Sequence, residues 1–167
     1  MRAAIISDTH DNKTNTEAAL KMIRDAGVDT ILHCGDMSFP STAELFKDFC
    51  IHYVRGNNEF DLLFDAIEME IFGCRPGSTT SEDYYEDVYD GKRFAMLHGH
   101  DAPKFYELLD SGKYDYIFHG HTHRRGEDTD GKTRIICPGS ISRSRLGKCG
   151  FCILDFETDE LDWYEIE

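Results

Sequence analysis

"MRAAIISDTHDNKTNTEAALKMIRDAGVDTILHCGDM", residues 1–37, holds the reading that decides the fold. "RAAIIS" (2–7) is a short apolar run, as a buried strand is. "TNTEAALKMIRDAG" (14–27) sets Ala18, Ala19, Met22, Ile23 and Ala26 at helical spacing and closes on Gly27, a residue suited to ending a helix. "DTILHC" (29–34) is a second strand. Strand, helix and strand in this order imply a parallel pair. Each strand gives way to a turn of polar, ligating side chains: "SDTHD" after the first and "CGDM" after the second.

The pattern continues outward. "STAELFKDF" (41–49), after Pro40 and with a Ser cap, predicts a helix, and "CIHYVRG" (50–56) a third strand. "AIEMEIFG" (66–73) alternates apolar and acidic residues and predicts a half-exposed strand. "CRPGSTTSEDYYED" (74–87) is polar and acidic, and is expected to be an excursion or loop. "VYDGKRFAMLHGH" (88–100) predicts a hairpin with an Asp-Gly turn. "APKFYELLDSG" (102–112) has Pro103 near the first turn of a helix, and "YDYIFHG" (114–120) is a strand. "EDTDGKTRIIC" (127–137) and "GFCILDFETDELDWYEIE" (150–167) predict two further hairpins. A parallel start followed by antiparallel hairpins predicts an α/β fold, two sheets packed face to face with helices outside. One domain over residues 1–167 is expected.

Composition sets limits on function. Of the 167 residues 40% are hydrophobic and 30% charged, a soluble globular mix. No run approaches the ~20 apolar residues that span a bilayer. The N-terminus reads as a strand, not a secretory signal, so a cytoplasmic protein is expected. The net charge is −14, from 18 Lys+Arg against 32 Asp+Glu, which argues against tight nucleic-acid binding and against an anionic membrane surface. An anionic substrate would then need a local source of positive charge, which bound divalent cations supply. Of the six cysteines, several lie in apolar runs, and "CGFC" (149–152) reads as the opening of a strand and not as a redox or zinc pair.

Metal-competent residues follow apolar strands in five places: "IISDTHD" (5–11), "ILHCGDM" (31–37), "YVRGNNE" (53–59), "MLHGHD" (96–101) and "IFHGHTH" (117–123). Ligands gather at the carboxyl ends of strands in such sheets. Asp8, His10, Asp36, Asn57, His98, His121 and His123 are therefore expected to converge in one cleft. Carboxylate, imidazole and amide without thiolate suit Mn²⁺, Fe, Zn²⁺, Ni²⁺ or Mg²⁺. So many ligands fit two ions sharing a carboxylate at roughly 3.5–4 Å separation better than one ion. Such a pair neutralises phosphoryl oxygens, makes hydroxide from water and orients an in-line attack.

The ordered set "SDTH…GD…GNNE…HGH…GHTH", followed by "CPGS", resembles the calcineurin-like metallophosphoesterase superfamily, within it the small bacterial and archaeal phosphodiesterase branch, which is related to the retromer subunit of this fold. The resemblance covers essentially the whole chain. It implies a four-layer α/β/β/α sandwich of two mixed sheets flanked by helices, with a di-metal site at the strand ends. By the same resemblance Asp8, His10 and His123 hold the first ion, and Asn57, His98 and His121 the second. Asp36 bridges them, and Mn²⁺ is the first choice of metal. His119 is the spare histidine, expected to pack, and His33 is read as packed too. Asp36, Asn58 and His100 are the expected catalytic residues, with Asn58 and Arg143 contacting substrate; Arg124, Arg125 and Arg145 are weaker phosphate candidates.

One departure shapes the expected reaction. Many superfamily phosphatases carry "GNHE" or "GNHD"; here Asn58 stands where that histidine would be. An amide donates a hydrogen bond but delivers no proton at neutral pH. A phosphodiesterase acting on activated or cyclic diesters, by in-line attack of a metal-bridging hydroxide, is expected over a general monoesterase. The expected partner is a small-molecule diester, with a homodimer as a further expectation of the resemblance. The alternative is a catalytically weak interaction scaffold of the same fold.

Overall fold

The structure is a computed structural model that describes residues 1–142 and 147–166. The chain forms β1 (Arg2–Ile6), α1 (Lys13–Asp25), β2 (Thr30–His33) and α2 (Pro40–Ala43), which runs into a 3₁₀ turn at Glu44–Phe46. β3 (Cys50–Val54), α3 (Asp61–Phe72), β4 (Thr79–Ser81), β5 (Tyr84–Tyr89) and β6 (Lys92–Leu97) follow. The remainder is α4 (Ala102–Asp110), β7 (Tyr116–His119), β8 (Gly126–Asp130), β9 (Thr133–Cys137), β10 (Gly150–Asp155) and β11 (Glu160–Glu165).

These strands make two mixed sheets. The first has the order β11-β10-β1-β2-β3-β4, and the second β5-β6-β7-β9-β8. β1, β2, β3 and β4 run parallel and β10 pairs antiparallel to β1. In the second sheet β6, β7 and β9 run parallel, with β5 and β8 as antiparallel hairpin partners at the edges. Between the sheets lie Ile5, Leu32, Val54, Phe94, Phe118 and Leu154, all fully buried. A second apolar layer joins the opposite face of the first sheet to α1 and α3, through Ile23, Ile31, Phe64, Ile67 and Ile71. A smaller one packs α4 on the second sheet through Ala95, Leu108 and Ile117. The architecture is the expected four layers, helix, sheet, sheet and helix. Among the described residues no helix is long and apolar enough to cross a membrane.

Three local expectations are corrected. Residues 66–73 lie within α3 and its cap, not in a strand. The alternation is real, but Phe64, Ile67 and Ile71 recur at helical spacing and face the core, leaving Met69 and Phe72 in solvent. The 74–87 segment is not only a loop, because β4 adds a short parallel strand beside β3 and β5 begins at Tyr84. The expected 41–49 helix is a single helical turn followed by a 3₁₀ turn, which buries Phe46 and Phe49 beneath the sheet.

Candidate metal centre

The five polar turns meet at one end of the two sheets. Backbone hydrogen bonds lace them together: Asp8 N–H to the Gly35 carbonyl (3.0 Å), His10 N–H to Asp36 (3.0 Å), Gly120 N–H to His98 (3.0 Å) and Ile141 N–H to Ser7 (3.1 Å). The turns approach so closely that side chains are excluded at the seams. A Cβ at Gly56 would lie 2.0 Å from Asp36 Oδ1, and one at Gly120 would lie 1.8 Å from Ser7 Oγ. The turns are also held in left-handed backbone. Asp8, His10, Asp36, His121 and His123 all have positive φ, between 42° and 64°. Asp and His tolerate that region better than most residues, yet such conformations persist only where the surroundings impose them.

All seven expected metal-ligating residues sit at this end. His123 Nε2 lies 3.1 Å and His10 Nε2 3.6 Å from Asp8 Oδ1. The two imidazole nitrogens are 3.3 Å apart. Asp36 Oδ2 stands between two groups, 3.7 Å from His10 Nε2 and 3.4 Å from His98 Nε2. His98 Nε2 is 3.0 Å from Asn57 Oδ1. The His121 ring lies 5.2 Å from the His98 ring, centroid to centroid. Ligating atoms of Asp8, His10 and His123 form one cluster and those of Asp8, Asp36 and His98 another, each within 4.8 Å.

The arrangement fits cations on its own chemistry. The His98 Nδ1 proton is given to the Cys34 carbonyl at 2.7 Å, which turns Nε2 toward Asn57 Oδ1 and Asp36 Oδ2. Both oxygens call for a positive charge there, which a proton on Nε2 or a bound cation supplies. Metal-bound histidines are held by the opposite nitrogen in this way. Asp8 is divided similarly. Its Oδ2 accepts from His121 N–H at 3.1 Å, while the buried Oδ1 faces His123 and His10 Nε2. A cation between them would serve the buried carboxylate and the two rings together.

The charge states agree. Burial pushes the Asp8 carboxyl up, but the adjoining His10 and His123 rings outweigh it and hold the group well below the ordinary carboxylate range. Burial likewise raises Asp36, and the His98 interaction more than offsets it, leaving the group lowered. His98 is pulled down by burial and up more strongly by Asp36, so its net shift is upward. Burial lowers His100, His119 and His121.

The other expected residues separate. Asn58 donates its backbone N–H to Asp36 Oδ1 at 3.0 Å and its side-chain amide to Asp36 Oδ2. It clamps the central carboxylate. His100 is exposed at the mouth, 5.4 Å ring to ring from His98. His119 faces away and meets the Phe105 ring of α4 edge-on. His33 is buried against Phe46 and Tyr53, accepts from Gly35 N–H and lies 3.3 Å from Thr9 Oγ1. Burial pushes it down to about 3. Arg125 turns to Glu165 and Trp163. Arg143 and Arg145 lie outside the described residues. Glu59 is a contributor that motif reading passed over. Its carboxylate is 2% exposed and accepts from Ser38 N–H (2.7 Å) and Gly56 N–H (2.8 Å), tying the Asp36 turn to the Asn57 turn. Its position after the two asparagines in "GNNE" was the available signal.

Fold and site together define a hydrolase-type scaffold with clustered metal-competent side chains, and comparison with known proteins names its family. The calcineurin-like phosphoesterase superfamily domain matches residues 1–159, and the chain belongs to that family. It is a metal-dependent phosphoesterase. Phosphodiesterase MJ0936 of Methanocaldococcus jannaschii is 29% identical over 168 residues, which span 96% of each chain. A solved archaeal phosphodiesterase superposes with a TM-score of 0.90 at 27% identity, over 99% of this chain and 100% of that one. Vps29 from Entamoeba histolytica, solved with zinc, has a TM-score of 0.70 at 19% identity over 99% and 91% of the two chains, a likeness of fold.

Proposed function

We propose that this chain is a phosphodiesterase with a two-ion centre, acting on activated or cyclic diesters by in-line attack. The observation that carries the reading is Asp36 standing between two ligand groups, with an opening beside each. His10 and His123 line one opening, with Asn12 and Ser142; Asn57 and His98 line the other. A diester has two alcohol arms, and two flanking openings receive one each. The relatedness to proteins described as phosphodiesterases supports the same preference.

In this proposal Asp8, His10 and His123 hold one ion, Asn57, His98 and His121 the other, and Asp36 serves both. When bound, the ions supply positive charge to the phosphoryl oxygens and a water acidic enough to attack near neutral pH. The chain's own residues do the rest. Asn58 orients Asp36 through two hydrogen bonds and supplies no proton. His100, at the mouth of the Asn57-side opening, is an imidazole placed to hydrogen-bond the alcohol arm held there. Mn²⁺ is the first candidate metal, since carboxylate, amide and imidazole donors suit it. A cytoplasmic setting accords with six unpaired cysteines. Homodimer formation has a surface to draw on: Leu62, Met69 and Phe72 lie exposed on α3.

The test is to strip the purified protein of metal and measure cleavage of a nitrophenyl diester and the matching monoester, with and without Mn²⁺, while counting bound metal. Metal-dependent cleavage favouring the diester, with about two ions per chain, is the expected outcome. Two bound ions with no turnover of either ester would transfer the assignment to a scaffold.

A further inference from the structure

The opening beside Asn57 and His98 is a cavity of about 370 Å³ whose lining differs from an ordinary ligand pocket. Such pockets are mostly apolar and aromatic. Here Leu97 is the one aliphatic side chain among the described lining residues, and none is Phe, Tyr or Trp. Arg55 and Lys104 stand in the wall with His100, and Glu82 and Asp83 form an acidic rim.

The two cations are held in place by fixed partners, Arg55 also lying 3.9 Å from Glu82 on the rim. Arg55 Nε donates to the Glu59 carbonyl (2.8 Å), its Nη2 to Asp61 (2.8 Å), and its guanidinium lies over the Phe64 ring. Lys104 Nζ pairs with Glu107 at 2.8 Å and lies over the Tyr84 ring. Their side chains are 21% and 27% exposed, so both are fixed and still reachable. Because each already has a carboxylate partner, and Glu82 and Asp83 border the same space, the cavity carries no surplus positive charge for a second phosphate. It has no Phe, Tyr or Trp face among the described lining residues on which a base could stack, only the imidazoles of His98 and His100, and no apolar wall for an acyl chain. It offers fixed donors and acceptors side by side. A hydroxyl is both donor and acceptor, and a polyhydroxylated alcohol satisfies both at several points.

We propose that this cavity receives the alcohol arm of the diester on the Asn57 side, and that this arm is a small polyhydroxylated alcohol of the glycerol or sugar kind, gripped by Arg55 and Lys104. The proposal rests on the phosphodiesterase reading and names the substrate class for the same site.

The test keeps the leaving group constant and changes only the other arm. Mn²⁺-loaded protein is given ethyl, glyceryl, glucos-6-yl and thymidin-5′-yl esters of 4-nitrophenyl phosphate. Calorimetry with glycerol 3-phosphate, glucose 6-phosphate and ethyl phosphate measures binding independently of turnover. The expected result is a kcat/KM for the glyceryl or glucosyl ester at least about tenfold above the ethyl ester, the gain from one or two hydrogen bonds to charged groups, with matching tighter binding of that phosphate. Whichever of the two polyols leads identifies the kind of alcohol. The thymidyl ester should gain nothing over ethyl. Lys104→Met, on the surface of α4, should bring the polyol-to-ethyl ratio toward one, as should Arg55→Ala if that chain folds. A thymidyl ester that outruns both polyols, a polyol no better than ethyl, or a ratio unmoved by Lys104→Met would overturn the proposal. Failure to cleave any of the four esters would instead remove the phosphodiesterase reading beneath it.

Discussion

The two sheets contribute unequally to the centre. The first sheet, through the turns after β1, β2 and β3, brings both carboxylates, the amide and a single imidazole: Asp8, His10, Asp36 and Asn57. The second, through the turns after β6 and β7, brings only imidazoles, His98, His121 and His123. Negative charge therefore enters the site from one side and imidazole nitrogens alone from the other. Neither sheet alone holds the whole of either ligand cluster. The centre exists at the seam, where His121 N–H reaches Asp8 and the Cys34 carbonyl turns the His98 ring. Sheet packing therefore brings the ligands together, with the apolar layer between the sheets contributing the hydrophobic driving force.

Breaking this comparison at its centre should have the largest effect. Asp36→Ala removes the carboxylate that faces both groups, and loss of activity beyond about a thousandfold is expected, since an electrostatic element acting at the reacting centre is removed. Metal analysis should show both ions reduced. Retention of one ion at full occupancy would mean that the two sheets build independent sites. Gly120→Ala tests the seam without replacing a ligand. Its Cβ would collide with Ser7 Oγ and come within 2.8 Å of Asp8 Oδ2. A stability loss of about 1–3 kcal/mol, typical of overpacking, should accompany weaker metal binding, seen by denaturant unfolding and by metal titration of the same sample. Normal metal affinity in a destabilised protein would uncouple packing from ligation.

Asn58→Ala sharpens the account of the acidic sheet. Asp36 would keep its place but lose two points of control, one wholly and one through a loosened turn. Metal affinity should fall about 10–100-fold, the range for groups that orient ligands, as read by competition with a chelator. No change would return Asn58 to a role in contacting substrate. The smallest effect on the centre belongs to the imidazole sheet's outward histidine. His119→Ala should leave metal content and kcat near wild type, and lose about 1 kcal/mol or more of stability from its contact with Phe105. Loss of an ion in that variant would show that His119, not a neighbour in "HGHTH", is a ligand.

Much of this was legible in order along the chain. Apolar runs ending in Asp, His or Asn marked the strand ends, and their number pointed to one shared cleft. Where the reading failed, local pattern had two solutions. "AIEMEIFG" alternates like a strand, yet as part of α3 it buries Ile67 and Ile71 and leaves Met69 in water. Short β4 has no periodic signal at all, because three residues define none. The Glu59 brace joins backbone N–H groups at Ser38 and Gly56, and the partner 21 residues away carries no mark of it.

The sequence by itself determined the class of chemistry: which donor types are present, their order after apolar strands, and a charge balance that needs cations to bring an anionic substrate close. Only the tertiary structure decided placement. It turned His119 toward Phe105, set His98 Nε2 3.0 Å from Asn57 Oδ1, pressed Gly56 and Gly120 against the opposite turns, and bound Asn58 to Asp36. The reason is physical. Residue type and spacing set what a side chain can donate, whereas its direction and proton are set by groups that only folding brings within hydrogen-bonding distance.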